Sequence, residues 1–197
     1  MAGRPDISDK LIHFTRGESG EAALARLRSI LRGGSLIAGN GMIRGGYHCV
    51  CFTEAPLAAL ADGFESLLSE ARYAPFGLML DKEWLYARGG RPVIYQPDSE
   101  FTMLPEEMRW RHVRYELTND SPVDFSWERE WRIHCDELHF SSRKAIVVVP
   151  NLQWRSLIKE AHEYERNIEV ELYATVLERE IAEQFRNPFS WRIVTLW

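Results

Sequence analysis

The chain has 197 residues, of which 45% are hydrophobic, 12% aromatic and 27% charged, and this composition is typical of a globular protein. The formal net charge of -5 disfavours nonspecific electrostatic binding to nucleic acid or to an acidic membrane. Three cysteines, no apolar signal segment and no apolar run of membrane-spanning length predict a cytoplasmic protein without a membrane role. We expect one α+β domain over residues 1–197.

The first predicted elements are a strand, a helix and a second strand. The short apolar run 11–15 predicts a strand, and Ser19 is a suitable N-cap for a helix that the glycine pair 33–34 ends. Residues 39–46 contain four glycines and predict a loop whose backbone can approach a ligand closely. The apolar segment 47–52 then predicts another strand.

The middle of the chain predicts shorter elements. A helix is expected to begin at residues 53–56 and to continue through Leu67, and a strand is expected at 76–80. A helical turn over 81–87 precedes a strand at 92–95. Residues 98–124 are rich in proline, glutamate and arginine and are interpreted as a lid or insertion, with a helix expected near residues 105–113.

The last third begins with a segment of strict alternation. Residues 125–133 place Glu128, Glu130 and Arg132 on one side of a predicted strand and aromatic or aliphatic residues on the other. The β-branched run 145–149 predicts a central strand. Residues 151–197 are expected to extend the same domain with a helix that Pro150 and Asn151 begin, a later helix and a terminal strand at 191–196.

The alternating strand carries the candidate chemistry. Two carboxylates at i and i+2 repel each other, and such a pair is useful when a ligand hydroxyl or a cation lies between them. An edge strand that faces solvent explains the same pattern without any function, and this alternative stays open.

His13 and Thr15 share one face of the first predicted strand. A histidine and a hydroxyl beside a glycine-rich loop suit a nucleotide cleft, in which ring nitrogens bind ribose hydroxyls. A core histidine with a satisfied hydrogen bond is the alternative explanation for His13.

Two further clusters are interpreted without a function. His48, Cys49, Cys51, His134 and Cys135 are zinc-type donors, but their spacing does not match a zinc site, so we expect no metal. The basic and aromatic segment 109–115 suits stacking on single-stranded nucleic acid, with a surface helix as the favoured alternative.

Several segments together are similar to the AbiGi-type abortive phage-resistance proteins and, more distantly, to DarT-like and other ADP-ribosyltransferases. The resemblance covers about residues 11–150 and follows the same order along the chain. The segments are His13-Phe14-Thr15, LRSILRGG at 27–34, CVCFTEAPL at 49–57, PFGLMLDKEWL at 75–85, GGRPVIY at 89–95 and EREWRI at 128–133.

The resemblance implies a split, mixed β-sheet with peripheral helices that holds NAD as a substrate in a central cleft. It implies that Glu130 is the catalytic carboxylate, that Glu128 assists the acceptor, and that His13 acts with them. His13 and Thr15 would contact the nicotinamide-side ribose and amide, and Tyr95 would lie near the nicotinamide. Phe52, on the second predicted strand, is also expected to contact NAD.

The resemblance also departs from the DarT-like pattern. Those proteins carry an arginine just after the Cys-Val-x-Phe strand, whereas this chain has Glu54 there. The departure argues against a DarT-like activity on DNA.

The predicted function is therefore an NAD-dependent ADP-ribosyltransferase that acts as a toxin or as an anti-phage defence effector. Its acceptor would be a protein or a nucleic acid. The alternative is a non-enzymatic, antitoxin-like protein that binds a nucleotide or a cognate toxin or antitoxin of a phage-defence system.

Overall fold

The computed structural model describes residues 7–58, 60, 74–118 and 121–197. The strands are β1 Lys10–Phe14, β2 Ser35–Ile37, β3 Cys49–Thr53, β4 Gly77–Asp81, β5 Arg91–Pro92, β6 Ile94–Gln96, β7 His112–Arg114, β8 Glu130–His134, β9 Glu137–His139, β10 Ala145–Val149 and β11 Arg192–Thr195. The α-helices are α1 Gly20–Gly33, α2 Lys82–Ala87, α3 Leu152–Tyr173 and α4 Arg179–Gln184. Among these described residues, 3₁₀ helices lie at Asp98–Met103, Glu106–Arg111 and Ser126–Glu128.

The strands form a split, mixed sheet in an α+β fold, as the sequence predicts. Within the described part of the chain, seven strands pair in the order β11-β10-β4-β1-β3-β8-β5, and two-stranded sheets join β2 with β9 and β6 with β7. The pairs β10–β11 and β6–β7 are parallel, and the other pairs are antiparallel. Among the described helices, none is long and apolar enough to cross a membrane.

The sequence determines where helix α1 begins and ends, because it has capping residues at both termini. The Ser19 side chain accepts a hydrogen bond from the Ala22 N–H at 3.1 Å, which satisfies one free donor of the first turn. Gly34 ends the helix with φ 64°, a left-handed conformation that glycine adopts without a Cβ clash. The predicted strand and helix at 11–34 are confirmed.

The two faces of the main sheet bury different residues. On the first face, here called the α1 face, β1, β3 and β8 contribute Leu11, Val50, Phe52, Trp131 and Ile133 to the core cluster that also contains α1. On the opposite face, Ile12 and Phe14 belong to a second, smaller cluster. Because side chains alternate along a strand, each residue of these strands is assigned to one face by the register.

Several predicted boundaries are corrected by the structure. The predicted strand 92–95 is two strands in different sheets, β5 and β6, and the helix expected within 98–124 is two 3₁₀ helices followed by β7. The predicted helix at 53–67 lies mostly outside the described residues. Strands β10 and β11 and the Asn151 N-cap of α3 agree with the sequence, whereas β2 and β9 have only three residues each and were not predicted.

Gly77 is the first residue of β4 and lies against the backbone of β1, and an alanine there is expected to destabilise the fold. A Cβ at Gly77 would overlap the carbonyl oxygen of His13, and Gly77 is paired with Phe14 of β1 on one side and with Val148 of β10 on the other. We expect Gly77→Ala to lower the free energy of unfolding by about 1–3 kcal/mol, because neither backbone can move without breaking the ladder.

The measurement is urea unfolding followed by circular dichroism. Gly39→Ala is the matched control, because a Cβ at Gly39 meets no atom within 4 Å. Equal midpoints for the two variants would contradict the expected overlap.

Candidate functional site

Glu130 begins strand β8 and is held in one position by its neighbours. Its backbone N–H donates to the Tyr95 hydroxyl at 2.9 Å, and its carboxylate accepts from Arg132 Nε at 2.7 Å and Nη2 at 3.3 Å. The side chains of Glu130 and Arg132 are only 12% and 5% exposed. The carboxylate is therefore fixed and largely removed from water.

Arg132 connects β8 to the segment that covers this face of the sheet. Its Nη1 donates to the backbone carbonyls of Trp110 at 3.0 Å and His112 at 2.8 Å. Burial acts to lower the pKa of Arg132, but the charge of Glu130 and its hydrogen bond outweigh burial and raise the pKa. Arg132 thus stays charged, and both donors of its Nη1 are satisfied by carbonyls.

Tyr95 lies in β6, which contributes to the site beside β8 and the segment that contains Trp110 and His112. Burial raises the pKa of Tyr95 to about 12, and the negative charges of Glu130 and Glu128 act in the same direction. The phenol is therefore neutral at physiological pH, and its oxygen accepts the Glu130 N–H. The structure places Tyr95 in contact with Glu130, and the charge of Glu128 acts on the same phenol.

Glu128 does not lie on the strand that the alternation predicted. Residues Ser126–Glu128 form a 3₁₀ helix, and Arg129 then adopts φ 45°, so the chain turns before β8 begins. The Thr53 hydroxyl donates to the Glu128 carbonyl at 2.5 Å and ties this turn to β3. The predicted strand 125–133 is wrong in its first half, because a left-handed residue breaks the extended backbone, and it is correct from Glu130 onward.

His13 lies on the α1 face, opposite Glu130. In the register, Ile12 is paired with Thr53 and Thr53 with Glu130, so these three side chains share a face and the His13 side chain points to the other. The ring of His13 packs edge-on against Phe52, with 5.8 Å between ring centroids. The expectation that the His13 imidazole and the Glu130 carboxylate lie in one cleft is not met.

The polar atoms of His13 and Thr15 are engaged within the fold. His13 Nδ1 lies 2.8 Å from the Cys51 carbonyl, and because a carbonyl only accepts, Nδ1 is the donor. Burial lowers the pKa of His13, and the nearby charge of Arg16 adds to this effect, so the ring is neutral. The Thr15 hydroxyl is buried and donates to the Phe76 carbonyl at 3.0 Å. Both residues have the hydrogen bonds expected of core positions.

A second buried carboxylate, Glu54, lies at the end of β3, and sequence reasoning assigned it no role in a site. It accepts from Lys82 Nζ at 2.6 Å and from Trp131 Nε1 at 2.7 Å, with 17% of its side chain exposed. Glu54 fixes the Trp131 indole next to Phe52 in the register. The sequence feature that could have indicated a role for Glu54 was its position at a predicted strand-to-helix junction.

The cysteines of β3 are not arranged as nucleophiles. Burial raises the pKa of Cys49 to about 11 and raises that of Cys51 further, so both thiols stay protonated near neutral pH. In the ranges that the structure describes, no group of three or more His, Cys, Asp or Glu side chains is placed to hold a metal ion.

Comparisons with known proteins give one structural likeness. No family model matches the chain, and no curated protein matches its sequence. Among solved structures, the chain is similar to Thermus sp. 2.9 DarT in complex with NAD+, at 13% sequence identity and a TM-score of 0.42. The likeness covers 98% of this chain and 96% of that one.

Proposed function

We propose that this protein is an NAD-dependent ADP-ribosyltransferase with Glu130 as its catalytic carboxylate. The observation that carries the proposal is the clustering of Glu130, Tyr95 and Glu128 where β8 begins, with Glu130 held by Arg132. A carboxylate that is already fixed in place can stabilise positive charge without reorganising when that charge appears.

The proposed reaction begins with cleavage of the bond between nicotinamide and ribose. Nicotinamide leaves as a neutral molecule with the bonding electron pair, and positive charge develops on the ribose ring, as in glycoside cleavage. Glu130, hydrogen-bonded to a ribose hydroxyl, would stabilise a charge that exists only in the transition state. An acceptor nucleophile then bonds to the ribose carbon, and Glu128 would receive its proton.

The proposed NAD contacts of His13, Thr15, Phe52 and Tyr95 come from the sequence resemblance. Tyr95 lies beside Glu130, whereas the other three side chains lie on the α1 face or in the core. A dinucleotide that contacts Glu130 and His13 must therefore reach both faces of the sheet. We propose a cytoplasmic toxin or anti-phage role, with a protein or nucleic acid as acceptor and a cognate toxin or antitoxin as a partner.

The first test uses the purified protein, NAD and a chromatographic assay for released nicotinamide. We expect release with the protein alone and faster release with a cell extract, because an acceptor in the extract competes with water for the ribose. NAD carrying a label on the adenine then identifies the macromolecular fraction that becomes modified. NAD recovered intact from both incubations would argue against the transferase.

A non-enzymatic binding protein is the second candidate, and one observation favours it. Arg132 donates to both carboxylate oxygens of Glu130, so a ribose hydroxyl would have to share oxygens that are already bonded. A binding protein would hold NAD or a cognate protein without releasing nicotinamide. Equilibrium dialysis with labelled NAD beside the release assay separates the two candidates.

A further inference from the structure

A pocket between helices α1 and α3 lies outside the candidate site. It has a volume of about 160 Å³, and none of the residues that line it belongs to the predicted site. Its lining residues are Arg28, Leu31, Arg32, Ile158, His162, Glu165, Arg166, Phe189 and Trp191. The proposed transferase reaction does not use them.

The pocket carries an excess of positive charge in a chain whose net charge is -5. Three guanidinium groups and one carboxylate line it. Glu165 Oε1 accepts from Arg28 Nη2 and Arg32 Nη2, each at 2.5 Å, so one negative charge is shared by two cations. The lining therefore has two positive charges that Glu165 does not balance.

Arg166 supplies the most direct indication of a ligand. Its side chain is 13% exposed, and its Nε is buried with no hydrogen-bond partner among the described residues. Its Nη2 pairs at 2.6 Å with Glu169, a carboxylate that lies outside the pocket lining and is 40% exposed. A buried donor without an acceptor is unfavourable, and an anionic oxygen would satisfy it once the guanidinium turns toward the pocket that it lines.

The remaining walls are aromatic and held in place. His162 Nε2 donates to the Asn187 carbonyl at 2.9 Å, and the imidazole packs edge-on against Phe189 with 5.4 Å between centroids. Trp191 packs against Phe140 at 5.8 Å. These walls offer apolar contacts beside the arginines, which suit the organic part of an amphipathic ligand.

We propose that this pocket binds the phosphate group of a phosphomonoester. A phosphomonoester carries close to two negative charges near neutral pH, which matches the excess charge of the lining, whereas a carboxylate carries one. The volume of about 160 Å³ is large enough to admit a phosphate group. The organic group would then lie over Phe189 and Trp191. The site is independent of the proposed transferase function.

The test is isothermal titration calorimetry at pH 7.5 with phenyl phosphate and, for comparison, benzoate. We expect saturable binding of phenyl phosphate that is tighter than that of benzoate. Arg166→Gln should weaken phenyl phosphate binding by about tenfold or more, because a charged donor is lost. The matched control is Arg155→Gln on the same helix, an exposed arginine outside the lining, which should bind as the original protein does.

Three results would overturn the proposal: no saturable binding of phenyl phosphate, tighter binding of benzoate, or equal affinity in Arg166→Gln. Circular dichroism establishes that the variant is folded. If Arg166→Gln does not fold, the affinity for phenyl phosphate is measured in Arg32→Gln. We expect the same loss of affinity there, and an unchanged affinity would overturn the proposal.

Discussion

Glu130→Gln is expected to lower the rate of NAD cleavage by about 10²–10³-fold, because it removes the charge that would stabilise the ribose cation in the transition state. The amide is nearly equal in size, but it leaves the buried Arg132 without a counterion. We therefore also expect the free energy of unfolding to fall by about 2–4 kcal/mol. Release of nicotinamide and urea unfolding of the same preparation measure the two effects.

The loss of stability in Glu130→Gln is too small to explain the expected loss of NAD cleavage. A protein with about 5 kcal/mol of stability that loses about 3 kcal/mol still has about 97% of its molecules folded, so unfolding alone cannot produce a hundredfold loss. Glu137→Gln, the same chemical change on strand β9, is the control and should keep its activity. NAD cleavage that survives undiminished in Glu130→Gln would remove Glu130 from the mechanism.

Arg132→Met is expected to have the largest effect on stability, about 3–5 kcal/mol. The substitution leaves the Glu130 carboxylate buried without a cation and leaves the carbonyls of Trp110 and His112 without their donor. Urea unfolding followed by circular dichroism measures the change. Arg155→Met, an exposed arginine on α3, is the control and should alter stability by no more than about 0.5 kcal/mol.

A double variant shows whether the loss comes from the broken pair. Glu130→Gln combined with Arg132→Met removes both charges. The free energy of unfolding lost in the double variant should therefore be smaller, by about 1–3 kcal/mol, than the sum of the losses in the two single variants. Additive losses would mean that Arg132 stabilises the fold through packing and its carbonyl contacts, and not through Glu130.

Elements with a strong local signal were predicted well. The Ser19 N-cap and Gly34 delimit α1, and the β-branched run of β10 forms a buried strand. The prediction failed at Arg129, because nothing in the alternation of residues 125–133 indicates that one residue adopts a left-handed conformation. Strands β2 and β9, with three residues each, were missed because so few residues give no periodic signal.

Within the candidate site, the sequence alone placed Glu130 and Arg132 on the same face of one strand, because side chains two residues apart in a strand point the same way. Tertiary structure decided that Arg132 binds the Glu130 carboxylate and that Tyr95 contacts the Glu130 backbone. It also decided that His13 lies on the opposite face, next to Phe52. Alternation is a property of each strand separately, whereas the faces of β1 and β8 are related only through their pairing with β3, which no local pattern specifies.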